Sequence, residues 1–245
     1  MKKLIYILSF VLIWSCESES GMDCLKSQGK SKTELILVDE FNKVNISEGI
    51  ELIIKQTDEQ KVKLIYGENL IDNVSFEVID NELFIKENSN CGILRNYHSA
   101  KVFIEIPNLN KIYSASQYSV KSDGVLTFPT LTLESGIIDE TAYSEFDLWI
   151  ENLELNINSN VSSVYKIKGE TQQLSVNFWA SNVRLEAEHL KAQKIHFFHR
   201  SSNDMIVFPV LEITGKLLST GDLVLKNTPE HIDIEQLYTG RVVYP

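Results

Sequence analysis

From Glu34 to Ile106 apolar and polar residues alternate with a period of two. Ile50, Leu52 and Ile54 fall on one side of an extended chain and Glu51 and Lys55 on the other. Val62, Leu64 and Tyr66 repeat the pattern between Lys61, Lys63 and Ile65. This period predicts strands with one buried face. Phe76-Glu77-Val78 and Leu83-Phe84-Ile85 flank Asp80-Asn81, two residues that tolerate the left-handed backbone of a tight hairpin.

Further along, the pattern becomes repetitive. Ile106-Pro107-Asn108-Leu109 is echoed by Phe128-Pro129-Thr130-Leu131 and Phe208-Pro209-Val210-Leu211, and Asn152-Leu153-Glu154-Leu155 keeps the apolar positions without proline. The leucines Leu109, Leu131, Leu153 and Leu211 are spaced by 22, 22 and 58 residues, and two further candidates, Leu174-Ser175-Val176 and Lys194-Ile195-His196, fill the long interval. Small polar corners recur between them: Ser114-Ala115-Ser116, Glu134-Ser135-Gly136, Asn158-Ser159-Asn160, Ala180-Ser181-Asn182, Ser201-Ser202-Asn203 and Ser219-Thr220-Gly221. Residues 201–206 and 219–224 match at an offset of 18, and Thr239-Gly240-Arg241-Val242 follows 19 later.

A period of about 20 residues, with short alternations and polar corners, has a simple physical solution. Each repeat forms one coil of a β-solenoid, and stacked coils pair their backbones while inward Leu, Ile, Val and Phe build a continuous core. The chain is therefore expected to be all-β and solenoid-like, with an N-terminal strand region over 34–106 and repeated coils over 107–245. A β-sandwich is the alternative, since strands spaced 8–12 residues apart fit it too.

The first residues carry a separate signal. Met1-Lys2-Lys3 precedes an apolar run from Leu4 to Trp14, then Ser15 and Cys16. These eleven residues, all apolar but Ser9, span roughly 16 Å as a helix, about half of a ~30 Å hydrocarbon core, so the pattern reads as a signal peptide over 1–15. Ile13-Trp14-Ser15-Cys16 resembles a bacterial lipobox, which makes Cys16 the expected lipid anchor, with residues 16–33 as a polar tether. Several acyl chains would hold such a protein on a membrane permanently. Cys24 and Cys91 then form an even pair in an oxidising compartment, and one disulfide between them is expected. It would close a loop of about 68 residues and stabilise by roughly 4 kcal/mol.

Charge narrows the partners. Against 34 acidic residues stand 23 basic ones, a net charge of −11, which disfavours nucleic acid because phosphate binding needs a positive surface. Hydrophobic residues at 43% allow a core of ordinary size, and 24 serines, 11 threonines and 18 asparagines suit strands and turns better than helices.

The residues from Phe41 to Pro245 resemble the head GIN domain family of auto-transporter adhesins, common in Bacteroidetes lipoproteins. The carriers are Phe41-Asn42-Lys43-Val44-Asn45-Ile46 with Gly49-Ile50-Glu51-Leu52, Tyr66-Gly67-Glu68-Asn69-Leu70, Val102-Phe103-Ile104-Glu105-Ile106-Pro107-Asn108-Leu109, and the ending from Thr220-Gly221-Asp222-Leu223-Val224-Leu225 to Tyr238-Thr239-Gly240-Arg241-Val242. The resemblance implies a right-handed β-helix-like fold and a cell-envelope location, and it supplies no catalytic residues.

The chemistry-bearing motifs are sparse. No HExxH, GxSxG, P-loop or Rossmann glycine pattern occurs. His196-Phe197-Phe198-His199 puts two histidines on opposite faces of a strand, a poor metal site, and neither a metal nor a cofactor is expected. Asp139-Glu140, or Glu145 with Asp147, imitates the acidic part of a β-helix polysaccharide-cleaving site. A solvated acidic face explains them better. The aromatic residues give the clearest interaction signal. With coils of about 20 residues, Phe178-Trp179 stacks on Phe198-His199, and Trp149 and Tyr165 fall on neighbouring coils. Trp149, Phe178, Trp179, Phe198 and His199 are the candidate binding surface for a glycan or protein. The expected function is a non-catalytic envelope lipoprotein, on the outer membrane and facing either outward or into the periplasm. The alternatives are a protein of self-assembly, as a homo-oligomer, and a β-helix polysaccharide-active enzyme.

Overall fold

The alternating N-terminal residues form strands because each buries its apolar side and leaves its polar side wet. The computed structural model describes residues 27–88, 99–137, 143–180 and 182–245, and these form strands with a single 3-10 turn at Ile71–Asn73. Strands β1 (Ser31–Ile36), β2 (Lys43–Ile46), β3 (Ile50–Gln56), β4 (Lys61–Gly67), β5 (Val74–Ile79), β6 (Glu82–Glu87) and β7 (Ala100–Ile106) come first. Asp80 and Asn81, at φ +51° and +61°, close the antiparallel β5–β6 hairpin as the sequence predicts.

The later strands are β8 (Lys111–Ser114), β9 (Ser119–Leu126), β10 (Thr130–Ser135), β11 (Ser144–Ser159), β12 (Ser163–Phe178), β13 (Val183–His199), β14 (Met205–Leu217), β15 (Leu223–Leu225), β16 (His231–Gln236) and β17 (Val242–Val243). They build two parallel stacks, a β-solenoid of about six turns. The first stack runs β6, β2, β8, β10, the second halves of β11 to β14, then β16. The second stack runs β7, β3, β9, the first halves of β11 to β14, then β15 and β17. Antiparallel β4 and β1 extend this stack at the β7 edge.

The strands before residue 107 continue the same two stacks. The pair β2–β3 lies between β6–β7 and β8–β9, so the coil that comes second in the chain stacks outermost. Only the later coils stack in chain order.

The repeat is a property of register. Leu131, Leu155, Leu174, Ile195 and Ile213 stand over one another, and Ile112, Leu133, Ile157, Val176 and Phe197 form the next column. All ten are buried, and each such side chain contributes roughly 1.5–3 kcal/mol. Leu131 thus stacks on Leu155. The spacing of 22 that singles out Leu153 is corrected by this register: Leu153 sits at the bend between stacks and is exposed, as is Leu211. The offset of 18 between residues 201–206 and 219–224 is the true register, with Met205 opposite Leu223 and Ile206 opposite Val224.

The corners are built from inward-facing hydroxyls. Ser114, Ser135 and Ser159 are stacked in register and fully buried. Ser159 Oγ lies 2.9 Å from Ser135 Oγ and 2.7 Å from Ser163 Oγ, and Ser144 Oγ donates to the Ser114 carbonyl at 3.1 Å. These hydroxyls satisfy one another where the chain turns, which is why serine recurs there.

Candidate functional site

Strict alternation decides which aromatic residues reach solvent. At the end of β12, Val176 and Phe178 point inward and Asn177 and Trp179 outward; in β13, Phe197 and His199 point inward and Phe198 outward. The register places Phe178 opposite His199 and Asn177 opposite Phe198. The two dipeptides therefore meet across adjacent coils on two separate faces. Trp179 leans on Phe198 with ring centroids 4.4 Å apart outside, and Phe178 meets His199 at 5.9 Å inside.

Burial corrects the expected surface at two positions. Phe178 and His199 are fully buried and belong to the core, because each is two residues beyond a buried column residue on the same strand. They continue an interior run of rings with Phe146 and Tyr165, whose centroids are 4.8 Å apart and nearly parallel. Trp149 is exposed, but it stands on the second stack opposite Lys168, whose ammonium lies 5.1 Å from its ring centroid. It is not part of the Trp179–Phe198 surface. Tyr165 faces Phe146 rather than Trp149.

The face around Trp179 and Phe198 is polar and held. Asn177 Nδ2 donates to Asn158 Oδ1 at 3.0 Å, Asn156 Nδ2 to Glu154 Oε1 at 3.1 Å, and His196 Nδ1 lies 3.1 Å from Thr214 Oγ1. Lys194 pairs with Glu212 at 3.6 Å and Lys216 with Glu235 at 2.7 Å. Between Gln173, Ser175, Lys194, His196 and Thr214 lies a trough of about 220 Å3. Sequence reasoning missed this trough. The outward parity of Asn156, Ser175, His196 and Thr214, one residue after each buried Leu or Ile of the first column, is the signal that marks it.

The second stack presents ion pairs instead. Lys166 donates to Glu145 at 2.9 Å and Arg184 to Glu186 at 2.7 Å, while Lys101 and Lys121 each lie 3.4 Å from Glu51. The bond from Lys166 holds the Glu145 carboxyl below its usual range against the effect of burial, and Tyr143 adds a hydroxyl at 3.2 Å. A carboxylate held in this way stays ionised and is poorly suited to donate a proton. Asp147 faces Lys121 and Lys166 in register. Asp139 and Glu140 lie outside the described residues, as do Cys16, Cys24 and Cys91.

His199 is the most perturbed group. Burial pushes its pKa down to about 4, an effect that the Asn203 backbone and the Asp204 charge only partly offset. Both ring nitrogens are sealed from solvent, and no hydrogen bond of good geometry reaches either. Among the described residues no group of three His, Cys, Asp or Glu side chains is arranged to hold a metal ion.

Comparison with known proteins adds a family and a fold. The family model described as "Putative auto-transporter adhesin, head GIN domain" matches residues 40–229. The crystal structure of a putative adhesin from Bacteroides fragilis NCTC 9343 superimposes with a TM-score of 0.78 at 19% identity, covering 88% of this chain and 97% of that one. A putative adhesin from Parabacteroides merdae ATCC 43184 gives 0.62 at 13% identity, over 88% and 97% of the two chains. A protein from Parabacteroides distasonis ATCC 8503, titled a putative lipid binding protein, gives 0.61 at 16%, over 89% and 97%. At these identities the likeness is one of fold. No curated protein sequence matches the chain.

Proposed function

We propose that this chain, which belongs to the putative auto-transporter adhesin, head GIN domain family, is a non-catalytic binding module displayed at the cell surface. Its ligand rests on the outward face of the first stack. The observation that carries this reading is the Trp179–Phe198 pair, two rings packed on each other at 4.4 Å with Trp179 47% exposed, on a face whose other side chains are polar. Packing against each other covers only part of these rings, and exposed aromatic surface is what binding sites use.

The absence of catalysis is part of the same reading. Glu145 is tied to Lys166 and Tyr143, Glu51 lies between two lysines, and His199 is sealed in the core. Attachment through a lipid on Cys16, with a Cys24–Cys91 disulfide stapling the segment that follows, completes the proposal. An array of immobilised glycans and extracellular proteins, probed with wild-type protein and with Trp179→Ala/Phe198→Ala, tests it. Retention on at least one component that the double variant loses supports the reading; retention unchanged in the variant contradicts it.

One observation favours a second reading, self-assembly. Leu237, Tyr238 and Tyr244 on the last coil are all more than half exposed, and within the described residues β16 is bonded only to β14. Unpaired edges with apolar side chains are templates for another copy. Light scattering on the eluting protein decides it, since a strict monomer rules assembly out.

A further inference from the structure

The outward rows of the first stack lead into the aromatic pair. Phe198 follows His196 by two residues on β13, so it stands about 7 Å further along the same face. The trough bounded by Gln173, Ser175, Lys194 and His196 therefore ends one outward position before Phe198, on which Trp179 leans. Asn158 and Asn177, bonded to each other at 3.0 Å, flank Phe198 on the preceding coils.

We infer that trough and rings together bind an uncharged glycan, lying along the strands with the C–H face of one sugar on Trp179 and Phe198 and its hydroxyls over the polar rows. The inference rests on the reading above that this face holds a ligand, and it names the ligand's class. A sugar ring has an apolar face and a rim of groups that both donate and accept. The site offers the matching set: two rings beside amide, hydroxyl and imidazole groups already fixed by one another, so little side-chain freedom is lost on binding.

A protein partner fits less well. Stable protein interfaces bury on the order of 800 Å2 per partner around an apolar, aromatic-rich centre. Here two rings stand beside rows of asparagine, serine, threonine and glutamine. Charge selects among glycans. Lys194 is committed to Glu212 at 3.6 Å and Lys216 to Glu235 at 2.7 Å, while Glu154 adds a further carboxylate at the trough. Along the trough an acidic sugar would meet carboxylates and lysines already paired, on a chain of net charge −11; the exposed Arg200 beside the rings, which has no ion pair among the described residues, is the cation that the acidic tetramers probe.

Calorimetric titration of the detergent-purified protein with neutral tetrasaccharides (gluco-, manno-, xylo- and chito-series) and with acidic uronate tetramers tests the inference. At least one neutral series binds, Trp179→Ala weakens it about tenfold, Asn177→Ala weakens it several-fold, and Trp149→Ala on the other stack leaves it unchanged. The melting temperature of each variant shows that the fold is kept. Binding of no neutral series, or tighter binding of the acidic tetramers, overturns the inference. If the array instead returns a protein whose retention depends on Trp179, the glycan class is wrong and the binding face stands. If nothing depends on Trp179, both fall.

Discussion

The Tyr165 hydroxyl lies 2.9 Å from Ser135 Oγ, thirty residues earlier in the chain and fully buried inside the solenoid. Burial pushes the phenol up to about 12, although the hydroxyls of Ser135, Ser159 and Ser163 pull the other way. This contact joins the stacked rings of the core to the column of corner serines. Because Ser135 also bonds Ser159 at 2.9 Å, Tyr165→Phe leaves no buried serine without a partner and costs about 1 kcal/mol. Tyr165→Ala empties a ring-sized space beside Phe146 and costs about 3–5 kcal/mol. Urea unfolding of the two variants separates the hydroxyl from the ring.

His199 makes stability depend on pH. Its folded pKa of about 4 lies below the ordinary 6.5, so the unfolded chain binds the extra proton and the histidine favours unfolding as pH drops. Its contribution is fully present above about pH 6.5 and is lost progressively down to about pH 4, roughly 3 kcal/mol across the window. His199→Leu fills much of the same space without titrating. Unfolding midpoints from pH 7 to pH 4 should fall more steeply for wild type than for this variant; parallel curves would show that His199 is not the source of the pH dependence.

Two glycines with left-handed backbone should respond differently to alanine. At Gly169, φ +114°, a Cβ would stand 2.0 Å from the Ile150 carbonyl oxygen at the bend where β11 and β12 pass between stacks. At Gly124, φ +96°, it would meet nothing within 4 Å. Gly124→Ala therefore carries only the backbone strain, about 1–2 kcal/mol, whereas Gly169→Ala must also push neighbouring coils away from each other and lowers the thermal midpoint much further. Equal losses in the two variants would contradict the tight bend.

The last corner is held by a carboxylate. Asp222 Oδ1 accepts the Arg241 N–H at 2.8 Å and its Oδ2 accepts from the Arg241 guanidinium at 2.8 Å, while its own N–H donates to Asp204 Oδ1 at 3.0 Å. The Arg241 side-chain bond, helped by the Arg241 backbone, holds the Asp222 carboxyl below its ordinary value. That contribution is present above the unfolded carboxylate pKa and is lost as pH falls through the lower folded one. Asp222→Ala should speed hydrogen exchange at Arg241 several-fold at neutral pH and leave β11 to β13 unchanged.

The coiled repeat is legible in the sequence because each coil reuses the same inward positions, so Leu174 and Ile195 stand out as repeats of Leu155 without knowledge of their register. The leucine at 153 misleads for a local reason: the chain bends there, and a residue of inward parity is turned out to solvent. The stacking of β6–β7 outside β2–β3 leaves no trace in the sequence, since period-two strands pair equally well with several neighbours. At the candidate site the aromatic residues are visible but their faces are not. Extending alternation from Val176 to Phe178 and from Phe197 to His199 supplies them, and it separates the core rings from Trp179 and Phe198 by parity alone.

In the proposed function the face carrying Trp179 looks out from the cell. Gln172→Cys puts a thiol at an exposed position beside the trough, and a membrane-impermeant maleimide added to intact cells reads its access, with the wild-type chain and a periplasmic protein as controls. Labelling of the variant while both controls stay unlabelled is the predicted result. Labelling only after the outer membrane is opened would place the binding face in the periplasm and contradict display at the cell surface.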